Sequence, residues 1–413
     1  MLEGLQGLVY RRIPESPNSK TKPCNMFSIT TFHELLKGLP RATFDKLVRT
    51  RKGDKYSKGF GHWDHLIAML YAQLSEAPGL RALEAGFNSH SAHHHHLGTH
   101  CIKRSTLAEA NQRRSDTVFN DVVVWLIGQV SGQVRSDSSE LMYLLDSTSI
   151  TLKGREFDRW TLENRNRNTQ GLKVHVLLDA QTQTPQWQCF SAANVNDIEM
   201  ASEVPLRAGA LYVFDKGYCD YGWWHKIDAA GSRFVTRFKS NASLKILEAR
   251  EIPSDADGIV ISDEIVALKN RNPGGRRKNP YVTPLRRVTI ARPDKETPIV
   301  LATNDLISPA LVIAQRYKDR WGIELFFKWI KQHLKIKKFL GRSENAVRIQ
   351  VLTALAGYLL LALYKHRHAF SGSLWECLAV VRATLFQRIA TENYYRERRK
   401  RQQVAYERQL CLL

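Results

Sequence analysis

The sequence lacks the features of secreted, disulfide-bonded and membrane-spanning proteins. Its six cysteines are scattered and form no CxxC pair, so we expect free thiols, no disulfide and no zinc site. The N-terminus has no sustained apolar stretch followed by small residues, which a signal peptide would need. The most apolar run, Val351 to Tyr364, is shorter than the ~20 residues that cross a bilayer. We therefore predict a cytoplasmic protein with no membrane partner, in which this run is a buried core helix.

Acidic residues are scarce relative to basic ones. The 413-residue chain has 40 Asp and Glu against 61 Lys and Arg, which gives a net charge of +21. An excess of positive charge this large is typical of proteins that bind nucleic acid. Because 43% of the residues are hydrophobic, the chain can bury a core, and its length suggests two or three domains of about 100–200 residues each. Composition therefore predicts a globular protein that faces nucleic acid.

The pattern of apolar residues divides the chain into four parts. Residues 1–25, rich in Pro, Ser and Lys, predict a disordered leader, and the sequence leaves open whether translation begins at the first residue or at Met26. Residues 26–134 have apolar residues at helical spacing and predict an all-helical N-terminal domain. Residues 135–345 mix short β-branched runs with helical segments, which predicts an α/β domain. Residues 346–413 predict C-terminal helices and a basic tail.

Two groups of polar residues in the helical domain are candidates for binding DNA or metal. Five basic residues between its helices could either contact phosphates or only solubilise the surface: Arg81, Lys103, Arg104, Arg113 and Arg114. The histidine run, His90 and His93 to His96, lacks helical ligand spacing and has no carboxylate or cysteine partners nearby. We therefore interpret it as a solvated loop and not as a metal site.

Two acidic residues stand where apolar, strand-like runs end. Asp146 follows "LMYLL" and Asp215 follows "LYVF". Each could simply start a turn, but acids at the ends of neighbouring strands project from one rim of a sheet. Two carboxylates placed together repel each other unless a cation lies between them. Because Mg²⁺ prefers carboxylate oxygens and keeps room for water and phosphate ligands, the pair predicts a magnesium site.

A third acidic residue, Glu324, lies in the basic and aromatic segment "YKDRWGIELFFKWIK", residues 317 to 331. At about 100° per residue of a helix, it shares an arc of roughly 60° with Tyr317, Arg320 and Lys331. The opposite side is predicted to pack in the core, and it comprises Ile323, Leu325, Phe326, Trp329 and Ile330. Glu324 is thus a candidate third metal ligand, flanked by side chains that can hold phosphates. The alternative is an exposed ion-pair face formed with Arg320 and Lys328.

These residues together resemble a known family. The order Asp146, Asp215, Glu324, with the pattern Y-x2-R-x3-E-x6-K around the glutamate, is similar to the DDE transposases of bacterial insertion sequences, in the Y-R-E-K branch (insertion-sequence family four). The resemblance runs from about Phe27 to His368. It implies an α/β fold with an RNase H-like catalytic core and a β-rich insertion between the second and third acids, preceded by the helical domain. The strand-rich segment at about 234–304 lies where that insertion is implied.

The resemblance also implies roles for the site residues. Asp146, Asp215 and Glu324 would be catalytic and would ligate two Mg²⁺ ions, for which Mn²⁺ can substitute. Tyr317, Arg320 and Lys331 would bind DNA phosphates near the transposon end. The helical domain at 26–134 would be DNA-binding, and the region 135–345 would be the catalytic domain.

The implied activity is cut-and-paste DNA transposition in the bacterial cytoplasm, at the nucleoid. The partners would be double-stranded DNA, both transposon ends with their terminal inverted repeats and target DNA, and a second copy of the chain in a synaptic homodimer. Two alternatives remain open at this stage. One is a metal-dependent nuclease that cuts without joining, and the other is a catalytically inactive, domesticated DNA-binding protein, against which the presence of all three acids argues.

Overall fold

The computed structural model describes residues 30–134, 140–164, 169–269, 279–292, 295–334 and 338–387. The predicted leader, residues 270–278 of the predicted insertion and the basic tail lie outside these residues.

In the described residues before position 135, every regular element is a helix, as the spacing of apolar residues predicts. They are α1 (Thr31–Leu36), α2 (Arg41–Thr50), α3 (His62–Leu74), α4 (Leu80–Asn88), a 3₁₀ helix (Ser91–Leu97), α5 (Arg104–Arg113) and α6 (Thr117–Val134). The 3₁₀ helix contains most of the histidine run, and the prediction of a solvated loop is wrong for His94. That side chain is 3% exposed, stacks on Phe87 and donates from Nε2 to the Phe87 carbonyl oxygen at 3.0 Å.

The middle of the chain mixes strands and helices around one large sheet. The strands are β1 (Met142–Thr151), β2 (Leu162–Asn164), β3 (Thr169–Asp179), β4 (Pro185–Ala192), β5 (Leu211–Phe214), β6 (Arg233–Arg237), β7 (Leu244–Ala249), β8 (Val260–Leu268), β9 (Leu285–Arg292) and β10 (Lys295–Thr303). The helices between them are α7 (Arg155–Asp158), α8 (Asp197–Ala201) and α9 (Tyr221–Ala229). After the last strand come α10 (Ala310–Asp319), α11 (Trp321–His333), α12 (Glu344–Arg367) and α13 (Leu374–Ala383).

Five strands have the order and direction of an RNase H-like core. The strand β3 pairs antiparallel with both β1 and β4, whereas β5 runs parallel to both β1 and β6. The spatial order is therefore β4-β3-β1-β5-β6. An antiparallel meander followed by parallel strands that need crossover connections is the arrangement implied by the family resemblance.

Both faces of this sheet are covered, and this explains why the run before Asp146 is continuously apolar. Leu144 of β1 belongs to the core on the side of α11, and its neighbours Tyr143 and Leu145 belong to the core on the side of α9. Alternate side chains of a strand point to opposite faces, so a strand buried on both sides has no polar alternation. The apolar run of β1 is thus part of a buried scaffold, and the less buried polar residues of this strand begin at Asp146.

The insertion widens the same sheet. Strands β10, β9, β8 and β7 follow β6 in that spatial order, and each pairs antiparallel with the next. The predicted insertion at about 234–304 overlaps β6, but β6 pairs in parallel with β5 and is the fifth strand of the core. The added strands therefore begin at Leu244.

The predicted core helix at Val351 to Tyr364 is confirmed as part of α12. By length and composition α12 could cross a membrane, but 89% of its most apolar window is buried inside the protein. It contacts α1, α3, α5 and α6, and the Gln73 side chain of α3 donates to its Gln350 carbonyl oxygen at 3.4 Å. The core of the N-terminal helices is thus completed by a helix more than 200 residues further along the chain, as the contact between these two residues (350 − 73 = 277) illustrates.

We expect that a fragment of residues 30–134 does not fold cooperatively, because it lacks α12. Leucines of α12 such as Leu352 and Leu359 are fully buried, and each contributes about 1.5–3 kcal/mol by burial. Losing several of them exceeds the net stability of about 5–15 kcal/mol of an ordinary domain. Urea unfolding followed by circular dichroism tests this expectation. The fragment joined by a flexible linker to residues 338–387 is the control and recovers a cooperative transition, whereas a sharp transition of the short fragment alone contradicts the prediction.

Candidate active site

The first two acids lie side by side on neighbouring parallel strands. In the register of β1 and β5, Leu145 pairs with Phe214, and the next residues are Asp146 and Asp215. Asp215 is the first residue after β5, as predicted from the end of its apolar run. Asp146 differs, because β1 continues beyond it to Thr151. The apolar run stops at Asp146 because the site opens there, and not because the strand ends.

Close packing of α11 against β1 brings the third acid to the same place. Glu324 lies in the first turn of α11, two residues after Gly322. A Cβ atom at Gly322 would lie 3.2 Å from Leu144 Cδ1 and 3.2 Å from the Gln183 side-chain nitrogen. Because glycine has no Cβ, this turn of the helix can approach the strand that carries Asp146. Helix packing therefore holds the glutamate close to Asp146, with Arg320 between the two carboxylates.

Two arginines bind the three carboxylates in the structure. Arg320 donates from Nη2 to Glu324 Oε1 at 2.7 Å and from Nη1 to Asp146 Oδ2 at 3.4 Å. Arg237 donates to Asp215 Oδ1 at 2.6 Å. Both guanidinium groups lie by the ring of Tyr317, at 5.7 Å for Arg320 and 5.9 Å for Arg237, within the range of cation–π attraction. The site is thus an alternating cluster of acids and arginines around one tyrosine.

The pKa values of the two aspartates move in opposite directions. Burial raises the pKa of Asp146 to about 6, and the charges of Asp215 and Glu324 add to this, against the Ser147 amide and Arg320. For Asp215, burial also acts to raise the pKa, but the hydrogen bond from Arg237 and further contacts outweigh it and leave the pKa below its ordinary value. Asp146 is therefore the aspartate whose charged form is less stabilised by its surroundings, and a cation beside it would stabilise that form.

The predicted single helical face around Glu324 is only partly right. The helix is interrupted at Arg320, which ends α10 and precedes α11. Tyr317 is 9% exposed and contributes mainly its buried ring. Leu325, predicted to pack in the core, is 53% exposed, whereas Ile323, Phe326 and Ile330 are buried as predicted.

Lys331 lies on the Glu324 side of α11, where it faces β1. Its ammonium group donates to Thr148 Oγ1 on β1. Lys331 and Glu324 line a cleft of about 460 Å³ together with Asp146 and the exposed Lys328. The structure thus brings together all six residues that the sequence singled out, with Tyr317 and Arg320 inside the cluster and Lys331 at its edge.

Arg237 is the site residue that sequence reasoning missed. Val213 of β5 pairs with Val235 of β6, and two residues beyond that pair stand Asp215 and Arg237. The juxtaposition depends on the parallel pairing of two strands whose register the sequence does not reveal. Arg237 could have been predicted as a site residue only if β6 had been assigned to the core and not to the insertion.

An apolar groove of about 960 Å³ opens beside the acids. It lies between α10 and strands of the insertion, and it shares Arg237, Tyr317 and Arg320 with the acidic cluster. Trp321, which is 58% exposed, lines it too. A polar cleft thus opens at Asp146 and Glu324, and the apolar groove is lined in part by the two arginines that contact the acids and by the tyrosine beside these arginines.

The residues fit divalent metal ions by the chemistry of their donors. Arg320 bridges Asp146 and Glu324, Asp215 follows the neighbouring strand, and hard divalent cations take such carboxylate oxygens as ligands. Among the described residues, no three His, Cys, Asp or Glu side chains are already arranged around one metal position. The guanidinium groups of Arg320 and Arg237 hold the carboxylates instead, so these contacts would have to be exchanged when metal binds.

Comparisons with known proteins agree with this geometry. A model of the transposase DDE domain matches residues 137–360, and a model of a domain of unknown function matches residues 28–100. "Putative transposase y4zB" of Sinorhizobium fredii is 41% identical over 284 residues, which cover 68% of this chain and 77% of that protein. "Putative transposase for insertion sequence element IS4SA" of Synechocystis is 24% identical, over 71% of this chain and 81% of that protein.

A solved structure shows a weaker likeness. The piggyBac transposase, in a synaptic complex with hairpin DNA, superposes with a TM-score of 0.45 and 11% identity, covering 89% of this chain and 83% of that one. That score is too low to support a conclusion about this chain. The sequence comparisons are sufficient, because the DDE model covers more than half of the 413 residues and one relative is 41% identical over most of its length. This chain belongs to the DDE transposases of bacterial insertion sequences.

Proposed function

We propose that this transposase binds the terminal inverted repeats of its insertion sequence and cuts and rejoins DNA there by a cut-and-paste reaction. The observation that carries the proposal is the convergence of Asp146, Asp215 and Glu324 beside Arg320 and Arg237. Acids alone would suit any metal-dependent nuclease. Acids interleaved with arginines at an open cleft suit a site that must hold DNA phosphates as well.

The three acids are the proposed ligands of two Mg²⁺ ions, which Mn²⁺ can replace. The chemistry that such ions supply is the activation of a water or 3′-hydroxyl and the stabilisation of the leaving oxygen. The contribution of the protein is the geometry: strand pairing sets the two aspartates side by side, and Gly322 lets the helix with Glu324 approach them.

Arg320, Arg237 and Lys331 are the proposed phosphate ligands, and Tyr317 holds the two arginines between its ring and the acids. Without metal, the arginines neutralise the carboxylates. With metal and DNA present, the carboxylates turn to the ions and the arginines to the phosphates. Because both partners exchange together, the site changes its ligands without leaving a buried charge unpaired.

The N-terminal helices are proposed to recognise the transposon end. Arg81, Lys103 and Arg104 are exposed and suit phosphate contacts. Arg114 is different, because it donates to the Gly61 carbonyl oxygen at 2.8 Å and packs over Phe60, which is a structural role. We propose that α12 belongs to this recognition domain and that two copies of the chain pair when two ends are brought together.

We expect that the full-length protein binds duplex with the terminal repeat more tightly than scrambled duplex at the same salt concentration, and that with Mg²⁺ it yields both cut and joined strands. In the Lys103→Ala/Arg104→Ala double variant, the slope of log affinity against log salt should become shallower by about two, one for each phosphate that is no longer neutralised.

Gel shifts over a salt series and sequencing of the products provide the test, with scrambled duplex as the control. Cut strands without joined strands would establish a nuclease instead. Equal affinity of the wild type for both duplexes would contradict specific binding of the terminal repeat, and an unchanged salt slope in the double variant would place the phosphate contacts elsewhere.

A further inference from the structure

A cluster of buried polar side chains lies on the face of the sheet opposite α11. Alternation along β1 places Asp146 on the α11 face and Ser147 on the other face. Ser147 pairs across the strands with His175, and two residues away on β3 is Lys173. Lys173 and His175 are only 2% and 0% exposed. Burying the amine of Lys173 and the imidazole of His175 costs solvation free energy, so their position on the face opposite the acidic site needs an explanation.

Asp197 is the centre of this cluster. It is the first residue of α8, and its Oδ1 atom accepts from Lys173 Nζ at 3.0 Å and from Ser147 Oγ at 2.9 Å. Lys173 also donates to the Val195 carbonyl oxygen at 2.6 Å, so its ammonium group has two fixed partners. The ion pair is buried on both sides, with 3% of the Lys173 side chain and 12% of the Asp197 side chain exposed.

The cluster touches the chain next to both catalytic aspartates. The amide of Ser147 donates to Asp146 Oδ1 at 2.7 Å, while the hydroxyl of the same residue is held by Asp197. On the other strand, a Cβ at Gly217, two residues after Asp215, would lie 3.5 Å from Asp197 Oδ2. Asp197 therefore bonds to the residue after Asp146 and lies beside the segment that follows Asp215.

A second link supports the same segment. The Tyr218 hydroxyl forms a hydrogen bond of 3.3 Å with His175 Nδ1, and His175 Nε2 bonds to Ser191 Oγ at 2.8 Å. Tyr218 is 1% exposed and ends the 3₁₀ turn that begins directly after Asp215. The loop after the second aspartate is thus tied to β3 and β4 as well as to α8.

Stability alone does not account for the Lys173–Asp197 pair. The cost of removing two charges from water offsets much of the attraction of a buried pair, so apolar residues of similar volume often stabilise a fold equally well. What an ion pair adds is direction, because its hydrogen bonds fix the orientation of the groups it contacts. Here those groups are the ones that hold the positions of Asp146 and Asp215.

We propose that Asp197, oriented by Lys173, is a positioning residue that sets the geometry of the metal-binding aspartates from the opposite face of the sheet. The inference rests on the proposed metal site. Side chains that orient metal ligands typically change metal affinity about 10–100-fold when they are replaced. Asp197→Asn keeps an acceptor for Ser147 but removes the charge that holds Lys173, and Ser147→Ala removes only the hydroxyl.

The matched control is Asp263→Asn. Asp263 of β8 forms another buried pair, with Arg286 of β9 at 2.6 Å, in the insertion and away from the acids. Both Asp→Asn variants lose the charge of a buried ion pair. Both variants should therefore unfold at a lower temperature than the wild type. Only Asp197→Asn should also bind Mn²⁺ more weakly.

The experiment measures the dissociation constant for Mn²⁺ by paramagnetic resonance of the free ion, using full-length protein without DNA. Thermal unfolding of each variant is recorded in parallel. We expect about tenfold weaker Mn²⁺ binding in Asp197→Asn, a smaller loss in Ser147→Ala, and wild-type binding in Asp263→Asn.

Wild-type Mn²⁺ affinity in both Asp197→Asn and Ser147→Ala overturns the positioning role and leaves the metal site intact. The same holds if Asp263→Asn weakens binding as much as Asp197→Asn, because the effect is then one of general stability. If the wild type itself binds no Mn²⁺, the metal site of the proposed function fails and the inference fails with it. Ser147→Ala keeps the test decisive if Asp197→Asn does not fold.

Discussion

Replacing any one of the three acids is expected to reduce Mg²⁺-dependent strand cleavage by at least about 100-fold, the upper range observed when only the partners of metal ligands are changed. The variants are Asp146→Asn, Asp215→Asn and Glu324→Gln, which keep side-chain size and remove charge. Each loses a proposed metal ligand, while the proposed contacts of the N-terminal helices with DNA are unchanged. Cleavage of end DNA is measured at saturating protein, and DNA affinity is measured separately by gel shift.

The control for this set is Asp319→Asn. Asp319 lies five residues before Glu324, at the end of α10, and its carboxylate accepts a hydrogen bond from the Gln315 amide at 2.7 Å. Its replacement removes one negative charge near the site without touching a proposed ligand, and cleavage should persist. Near wild-type cleavage in any of the three acid variants would remove that residue from the metal site.

The stability of Asp146→Asn provides an independent check on the electrostatics. In the metal-free protein the pKa of Asp146, about 6, lies above its ordinary value of 3.8. The folded state therefore binds more protons between these values, so stability falls as pH rises from about 4 to about 6 and stays reduced above. Replacing the aspartate should thus raise the free energy of unfolding near pH 8 by at most about 3 kcal/mol and have no effect below pH 4. Urea titrations in the presence of a chelator measure this difference.

The sequence was sufficient to single out three acids that the structure places around Arg320 and Arg237, because each carries a local signal. Asp146 and Asp215 stand at the end of apolar runs, and Glu324 stands in a spacing of four residue types. The RNase H-like order of the strands followed from the family resemblance, and the structure agrees with it. These signals are local in the chain, so they can be read without knowing which strands are neighbours.

Features that depend on distant pairing could not be predicted. Arg237 contacts Asp215 only because β6 pairs in parallel with β5. The N-terminal helices pack their core against α12, although α12 follows all the strands of the sheet in the sequence. The break at Arg320 between α10 and α11 was also hidden, because the helical period of the sequence continues through it.

The position of Arg320 between two acids leads to the second large effect. We expect that Arg320→Ala and Lys331→Ala weaken binding to nicked or cleaved ends more than binding to intact duplex, because the phosphates beside the cut are their proposed partners. Each charge-assisted hydrogen bond that is removed should cost about 1.5–3 kcal/mol. The slope of log affinity against log salt should become shallower by about one for each phosphate that is no longer neutralised.

Lys328→Ala is the matched control. Lys328 lies on α11 and lines the same cleft as Lys331, but it is exposed and lies outside the signature spacing. The Arg320→Lys variant tests whether positive charge alone is enough. Lysine keeps the charge but cannot bridge two acceptors with a planar group, so this variant should bind nicked ends little better than Arg320→Ala. Salt titrations with nicked and intact duplex are run on all four variants. If Lys328→Ala is as damaging as Arg320→Ala and Lys331→Ala, the helix is a general basic surface, and the spacing around Glu324 has no special role in holding the cut end.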